Sequence, residues 1–482
     1  MNKSSFVNPT YANVQKISIR SDFSDLLLID VTLMVPSVSF TSSIDSETMY
    51  GVARFVDSVG LLEETPLRGE EQIIFEIADS SMINESGGIQ AGAVSDPFLF
   101  TGFIYKIDNV TTTDINDSLI YDVHFVSHQS YVAGTKQLIR SFRDTTVSDI
   151  VKSIFEEYYR GPNHTTNENL KQVTVEETSG LIRCVIPRLR PEEAMSFLSR
   201  RSYSANQSPS CTFRFYESNK GYYFVSDEEL FRLAELEEPK RIFQFTYLDA
   251  IPNTLDYYEE QMKNLESFEN TDRINTLSDI YNGTYRNKVL ELDILTRRTN
   301  LIDGSGQYDY FAERRRYFDV KRDETLIDRH TTRFIEGVHS DSETSGGEDT
   351  DIQKRFLVIK NFTSGEDLSA DQSLSAETHY ADIISHRQAY GNHIESTTVE
   401  AIGPGRFDVT AGDIIEMDIK RMQYATGSES DSSEQNKHLS GRYLVKTVSH
   451  VLEGDVMKNV YRLIKKDWSE VETISARREG PF

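Results

Sequence analysis

The chain has 482 residues, of which 38% are hydrophobic and 11% aromatic, so it has room for roughly two to four domains with packed cores and differs from fully disordered sequences. Its 51 basic and 77 acidic residues give a formal net charge of −26, which argues against a nucleic-acid-binding protein because such proteins need clustered lysine and arginine. Two cysteines, Cys184 and Cys211, are too few for a disulfide framework and lack a CxxC spacing, which predicts reduced thiols in a protein made in a cytosol. No window contains the ~18 apolar residues of a membrane span, and residues 1–9 lack the apolar run of a signal peptide.

Residues 17–128 have the composition and alternation of β structure. The predicted strands are 26–36, continued by Val38 and Phe40, then 72–77, 97–110 and 119–125. A single helix is predicted at 46–56, and the glycine-containing segment 80–96 is predicted to be a loop. This pattern favours a small β-barrel or sandwich with one helix.

The clearest predicted helix follows, over residues 146–158. Thr146 is its predicted N-cap and Asp149 lies at the N3 position. Its apolar residues fall on one continuous face, which predicts that this face is buried in a core: Val147, Ile150, Val151, Ile154, Phe155 and Tyr158. Gly161 and Pro162 end the helix.

Residues 186–231 predict a helix that begins at a proline, then a hairpin, then a second helix. Phe213 and Phe215 lie on the first strand, residues 218–221 form the turn, and Tyr222 and Phe224 lie on the return strand. Ser226 and Glu229 form a predicted capping box that starts the next helix.

Beyond residue 240, strands alternate with long polar segments. Strands are predicted at 242–247, 285–296, 393–402, 413–419, 442–451 and 456–464, the last two as a hairpin across 452–455. Helices are predicted at 272–281 and 375–388. Residues 299–375 are polar, and 340–351 and 427–437 are predicted to be solvated loops.

No catalytic, cofactor-binding or metal-binding residue is predicted. The glycines at 87, 88 and 92 lack the Lys-Ser/Thr of a phosphate loop, and Gly304 and Gly306 do not form a nucleophile elbow. His124 and His128 could share a strand face but have no third ligand in the sequence, and the same interpretation applies to His386 and His393. The basic runs 297–298 and 314–316 are interpreted as solvated faces, with an acidic partner surface as the alternative.

Three segments resemble a known protein family. Residues 142–158 resemble the pattern F-x-x-x-T-V-x-x-I-V-x-x-I-x-x-x-Y, which opens the second domain in that family, and residues 186–231 combine a proline-led helix, the string FRFYESNKGYYF and a capped helix. Residues 407–416 (FDVTAGDIIE) and 439–450 (LSGRYLVKTVSH), followed by Lys466-Asp-Trp468, form a closing signature. In this order the segments resemble the baseplate central hub proteins of contractile-tailed bacteriophages and the matching half of the type VI secretion spike protein VgrG.

The resemblance implies a β-rich α+β, multidomain fold: two tube-like β-barrel or sandwich domains, a helix-hairpin-helix module and an inserted domain. The implied limits are 10–132 for the first tube-like β domain, 133–239 for the module, 240–300 with 385–470 for the discontinuous second tube-like domain, and 301–384 for the polar insertion. The module and the insertion are expected on the outer face.

The resemblance also implies a structural, non-enzymatic role. The expected protein is a homotrimer, without cofactors, that joins a six-fold tail tube to a three-fold spike in the baseplate of a virion tail assembled in the host cytoplasm. Expected partners are a trimeric spike protein on the distal face, a tail tube or tube-initiator protein on the proximal face, and baseplate wedge and tape-measure proteins. DNA would pass through without specific binding, and no membrane is involved. Two alternatives stay open: a tail-associated cell-wall hydrolase, and the hub of a capsid-less contractile injection system.

Overall fold

The computed structural model describes most of the chain in separate ranges. These are residues 12–21, 28–64, 67–79, 97–112, 118–160, 170–206, 210–236, 242–247, 263–272, 287–293, 298–301, 354–359, 398–419 and 439–465, with Tyr281, Ile384 and Arg387. The described part is rich in β-strands and poor in helices.

The first seven strands form one antiparallel segment of sheet, here called the first β unit. They are β1 (Ala12–Arg20), β2 (Ile29–Asp30), β3 (Ser37–Ser43), β4 (Tyr50–Asp57), β5 (Gln72–Asp79), β6 (Phe98–Thr112) and β7 (Leu119–Ser127). Their spatial order is β3-β4-β7-β6-β5-β1-β2. A 3₁₀ turn at Thr32–Met34 and the short helices α1 (Leu61–Glu64) and α2 (His128–Gly134) accompany them.

This sheet curls around its own core. Phe40 on β3 and Phe75 on β5 lie four strand positions apart, which would be about 19 Å in a flat sheet. Their ring centroids are nevertheless 5.0 Å apart in an edge-to-face arrangement. Phe100 and Phe125 complete an aromatic cluster with them. The core of this curled sheet therefore consists of inward-facing aromatic side chains, and the closure of the region as a barrel or sandwich domain stays a prediction.

The helix predicted at 46–56 is wrong, because residues 50–57 form strand β4. Burial along this strand alternates strictly, with Gly51, Ala53 and Phe55 buried between more exposed neighbours. That period of two is the strand pattern. Gly51 also passes so close to β3 that a Cβ there would lie 2.4 Å from the backbone oxygen of Ser39.

The next part of the chain, here called the module, packs helices against short strands. Its strands are β8 (Leu138–Thr145), β9 (Val173–Val175), β10 (Ile182–Leu189), β11 (Phe213–Glu217) and β12 (Tyr222–Ser226). Its helices are α3 (Val147–Ile154), continued by a π-helical turn at Phe155–Arg160, α4 (Pro191–Ser199) and α5 (Asp227–Leu236). The predicted helix over 146–158 is confirmed, with Thr146 Oγ1 accepting a hydrogen bond from the Asp149 N–H at 3.2 Å.

The predicted hairpin and the capped helix after it are confirmed as well. β11 and β12 pair antiparallel in register, with Phe215 opposite Phe224. The turn is closed by the Ser218 N–H, which donates to the Gly221 carbonyl at 2.8 Å. Ser226 Oγ accepts from the Glu229 N–H at the start of α5.

Strands from the last part of the chain form the second β unit. They are β13 (Ile242–Tyr247), β14 (Ser267–Asp272), β18 (Thr398–Pro404), β19 (Ile414–Ile419), β20 (Gly441–Glu453) and β21 (Val456–Lys465). The predicted final hairpin is confirmed as β20–β21, which turn at Gly454. Between β14 and β18 along the chain, a separate three-stranded sheet joins β15 (Asn287–Asp293), β16 (Arg298–Leu301) and β17 (Lys354–Ile359).

That separate sheet bears on the predicted domain limits. β15 pairs in parallel with β17, so residues 287–293 are hydrogen-bonded to a strand within the polar segment 299–375 and to no strand of the second β unit among the described residues. The limits at 132, 239, 300 and 384 stay predictions. The loops predicted at 80–96, 340–351 and 427–437, and all but a few residues of the helices predicted at 272–281 and 375–388, lie outside the described residues.

The two β units belong to one sheet of 13 strands. The connection is the antiparallel pairing of β20 with β3, from Thr447 opposite Ser43 to Glu453 opposite Ser37. Side chains of the second unit also enter the first core, where Phe407, Leu452 and Met457 are buried beside the aromatic cluster.

Candidate functional site: the junction of the two β units

One face of the shared sheet runs without interruption from one β unit to the other and is here called the open face. Ser37, Ser39 and Thr41 of β3 point away from the core and are half-exposed. On β20, Ser449 lies opposite Thr41, and their hydroxyl oxygens are 2.9 Å apart. On the other side, Val52 of β4 lies opposite Ser39. Small hydroxyl side chains therefore occupy the seam between the units.

The charged side chains on the open face are largely paired with one another. Arg54 Nε donates to Asp122 Oδ1 at 2.9 Å, and this hydrogen bond holds the pKa of the Asp122 carboxyl below its usual value. His124 Nε2 lies 2.9 Å from Asp108 Oδ1. The hydrogen bond from Lys106 to Asp108 is the largest cause of the lowered pKa of that carboxyl. Few cations on this face are thus offered to an external anion.

Across the seam, the second β unit repeats this arrangement. Lys458 Nζ lies 2.7 Å from Glu266 Oε2. Arg462 on β21 stands opposite Glu400 on β18. An exposed ion pair such as that of Lys458 with Glu266 contributes little to stability, commonly below ~1 kcal/mol, so its effect is on the electrostatic potential of the face.

On the buried side of the junction, the hairpin β11–β12 of the module contacts both β units. Its anchor in the first unit is Glu217, whose side chain is 1% exposed. Glu217 Oε2 accepts from the Met49 backbone N–H at 3.0 Å and from Ser127 Oγ at 2.6 Å, while Oε1 accepts from Lys171 Nζ at 2.7 Å. Ser130 Oγ lies 3.2 Å from the same Oε2 and 2.9 Å from the Tyr222 hydroxyl. A buried carboxylate is thereby paired and fully hydrogen-bonded, which its burial requires.

The turn of the same hairpin is anchored in the second β unit. Lys220 Nζ lies 3.0 Å from Asp413 Oδ2, and the Asp413 side chain is completely buried. Asp413 Oδ2 also accepts from the Thr410 N–H at 2.8 Å. Asn219 Nδ2 donates to the Phe407 carbonyl at 3.1 Å.

Apolar packing joins the same three parts. Tyr216 and Tyr223 of the hairpin stack at 5.3 Å within a cluster that contains Ile44 of the first unit and Leu444 of the second. Tyr216 lies directly against Gly412, where an added Cβ would be 2.1 Å from the tyrosine hydroxyl oxygen. Gly412 has φ +87°, a conformation that glycine adopts readily and that side chains disfavour.

The module is fastened to the last part of the chain at a second point. Arg387 donates to three backbone carbonyls at 2.7–3.2 Å: those of Ser199, Arg200 and Cys211. The first two carbonyls end α4, where a helix leaves acceptors without intrahelical donors. Burial lowers the pKa of the Arg387 guanidinium.

His450 lies at the centre of the junction and is buried in its neutral form. Its Nδ1 lies 2.9 Å from Asn459 Oδ1, its Nε2 lies 3.4 Å from Asn219 Nδ2, and its ring is 5.0 Å from that of Phe407. Desolvation lowers the pKa of His450 from 6.5 to about 4, against the hydrogen bond to Asn459 and the charge of Asp408, which act to raise it.

This histidine predicts a pH dependence of stability. Below pH 6.5 residue 450 becomes protonated in the unfolded chain, whereas in the folded chain it becomes protonated only near pH 4. Protonation of residue 450 in the unfolded chain therefore leaves the free energy of unfolding unchanged above pH 6.5. As the pH falls from 6.5 towards 4, it lowers the free energy of unfolding by roughly 3 kcal/mol in total. We expect denaturation midpoints of the wild type to fall, relative to those of His450→Gln, across this window. Parallel pH profiles of the two proteins would contradict the neutral buried histidine.

The sequence-predicted histidines do not come together. His124 pairs with Asp108 on the open face, whereas His128 begins α2 and stacks on Phe103 at 5.2 Å between centroids. Within the described residues, no group of three or more histidine, cysteine or acidic side chains could hold a metal ion. The glycine segments 87–92 and 304–306, the basic residues 297 and 314–316, His386 and His393 lie outside the described residues.

Sequence reasoning did not identify the junction residues as a site. Glu217 and Asp413 are two among 77 acidic residues, and neither periodicity nor spacing distinguishes them. A signal was nevertheless present, since both lie inside the quoted motif strings 213–224 and 407–416. The two strings contact each other in the folded protein. These contacts join Tyr216 with Gly412, Asn219 with Phe407 and Lys220 with Asp413.

None of the described helices is long and apolar enough to span a membrane.

Comparison with known proteins places the chain beside several solved structures. No protein-family model matches it, and no curated protein sequence does. A tail protein from Neisseria meningitidis MC58 is similar with a TM-score of 0.49 and 10% identity over 94% of this chain and 96% of that one. A 43 kDa tail protein of prophage MuSo2 from Shewanella oneidensis is similar with a TM-score of 0.46 and 8% identity, over 94% and 99% of the two chains.

A third solved structure is a component of the type VI secretion system of E. coli. It is similar with a TM-score of 0.41 and 10% identity, over 94% of this chain and 77% of that one.

Proposed function

We propose that this protein is a structural hub of a contractile tail baseplate. Three copies form a ring in which each chain contributes its two β units, so that six units face the six-fold tail tube while the trimer as a whole matches a three-fold spike. The spike binds on the distal face and the tube or its initiator on the proximal face. In this proposal the chain acts by assembly and not by catalysis.

The observation that supports the proposal most is the direct pairing of two β units within one chain. A protein that joins a six-fold ring to a three-fold spike must hold its two β units in one relative orientation. A change in that orientation would break the pseudo-six-fold arrangement of the ring. Here β3 and β20 join the units edge to edge. The hairpin then fastens both units with two buried carboxylates, Glu217 and Asp413. The two motif strings most specific to the hub resemblance are the segments that make this joint.

The open face is the surface that we assign to the channel. DNA binding requires cations that can replace the counterions of phosphate, and the cations of this face are engaged by Asp108, Asp122 and Glu266. Three chains of −26 also carry about −78 in total, as three times −26. A face whose cations are paired with carboxylates, inside an acidic assembly, lets a polyanion pass without being held.

Light scattering on the purified protein, alone and mixed with the trimeric spike protein of the same particle, tests the proposal. The expected mass is about 165 kDa, three times 55.1 kDa, for the protein alone, or this mass plus that of the spike if the trimer forms only when the spike is added. A protein that stays monomeric at high concentration and does not bind the spike would refute the hub proposal. Activity of the purified chain on peptidoglycan in a zymogram would instead support the cell-wall hydrolase.

A further inference from the structure

The module carries a two-stranded ribbon whose outer face is uncovered. Within the described residues, β8 and β10 pair only with each other, in an antiparallel register that sets Ser141 opposite Val185. The inner face of this ribbon is part of the module core, where Leu138, Ile182 and Ile186 are buried. Since side chains alternate along a strand, the residues between these point to the opposite face.

The outer face of the ribbon exposes aliphatic side chains. Ile139 is 71% exposed and Val185 is 64% exposed. Leu181, just before β10, is 43% exposed. β-branched residues on strands ordinarily pack against a neighbouring layer, and these have none within the described part of the chain.

The ribbon is also basic in a strongly acidic protein. Residues 138–145 and 182–189 contain Arg140, Arg143, Arg183 and Arg188 but a single acidic residue, Asp144, so their net charge is four minus one, or +3. The whole chain has a net charge of −26. Arg140 pairs with Glu157, and Arg183 pairs with Asp144, both on the surface. Arg143 is exposed on the outer face, and Arg188 is exposed at the end of the ribbon.

We propose that the outer face of this ribbon is a docking surface for an acidic, aliphatic-bearing extended segment of another protein of the assembly. Aliphatic side chains of that segment would cover Ile139 and Val185, and its carboxylates would lie against the arginines on either side. Residues two apart on an extended segment lie on the same face, so a segment with acidic and β-branched residues in turn at every second position presents both kinds of contact to the ribbon. Nucleic acid fits less well, because the aliphatic centre offers nothing to a phosphate backbone and the protein as a whole repels it.

Fluorescence anisotropy tests the surface with a labelled peptide in which glutamate and valine take turns at every second position, with serine between them, so that both lie on one face of the extended peptide. Binding to the wild-type protein is expected to saturate and to weaken with added salt, since the charged contacts are exposed. The same peptide with lysine in place of glutamate is expected not to bind. Arg143→Glu/Arg183→Glu and, separately, Ile139→Ser/Val185→Ser are each expected to weaken binding about tenfold or more.

A matched control changes the same amount of charge elsewhere. Lys16→Glu/Lys152→Glu alters two exposed cations, one on β1 and one on α3, and is expected to bind the peptide like the wild type. Circular dichroism of each variant confirms that it folds. The proposal is overturned by absence of saturable binding, by equal loss in the control, or by equal binding of the lysine peptide.

The same variants separate this inference from the hub proposal. If Arg143→Glu/Arg183→Glu lowers the mass of the assembly in light scattering, the ribbon is a contact between copies of this chain and the inference is wrong. Conversely, if the protein binds the peptide but does not form a trimer, alone or with the spike, the docking surface is supported and the hub proposal is refuted.

Discussion

Replacement of Phe407 by alanine is expected to lower the free energy of unfolding by about 3–5 kcal/mol. Phe407 is 5% exposed and stacks on Phe98 with centroids 4.0 Å apart and planes 9° apart. It also meets Phe40 edge-to-face at 6.3 Å. Because it follows β18 of the second β unit and fills the core of the first, its removal leaves a cavity between the two.

The measurement is the denaturant midpoint followed by circular dichroism. Phe407→Leu, which keeps most of the apolar volume, should cost clearly less than the alanine variant. Leu33→Ala is the surface control, because Leu33 is fully exposed and its truncation should change stability by less than ~0.5 kcal/mol. If Phe407→Ala behaves like Leu33→Ala, the shared core does not couple the units.

Replacement of Glu217 by alanine is expected to lower the free energy of unfolding by a similar amount, about 3–5 kcal/mol, because it leaves a half-buried cation and several donors without their acceptor. The stranded groups are Lys171 Nζ, the Met49 N–H and the Ser127 hydroxyl. Glu217→Gln retains one carbonyl oxygen as an acceptor and should lose less. The denaturant midpoint and the yield of trimer at a fixed temperature are the two measurements.

Glu156→Ala provides the matched control for Glu217→Ala. Glu156 also pairs with a cation, Arg160, but its side chain is 57% exposed. Losing an exposed pair between residues one helical turn apart should cost at most ~0.5 kcal/mol. Equal effects of the two alanine variants would show that the buried carboxylate of the hairpin does not hold the junction.

The hairpin that contains Glu217 shows which features can be predicted from sequence and which cannot. The hairpin containing Glu217 was predictable, because aromatic alternation and a turn sequence act between neighbours along the chain. The position of the hairpin between two β units was not, since its contacts are with residues such as Met49 and Asp413, 168 and 193 positions from their partners. The predicted location of the module on the outer face stays a prediction, although its hairpin reaches the junction.

The wrongly predicted helix at 46–56 has a similar cause. Its residues give only a weak local preference, and strand pairing decided the outcome: β4 is hydrogen-bonded between β3 and β7. Tertiary context commonly overrides such propensities in short segments.

The sequence by itself determined the elements that depend on local periodicity and capping: α3 with its Thr146 cap, the hairpin β11–β12, the final hairpin β20–β21 and the β-rich class of the fold. Through its motif strings it also pointed to the hub family. Only the tertiary structure decided that β3 pairs with β20, where Thr41 and Ser449 meet across 408 positions of the chain. It alone decided that Phe407 enters the core of the other β unit, and that Glu217 and Asp413 become buried anchors. The physical reason is that periodicity records which face of an element is apolar, whereas the partner of that face is set by packing among distant segments that no local pattern encodes.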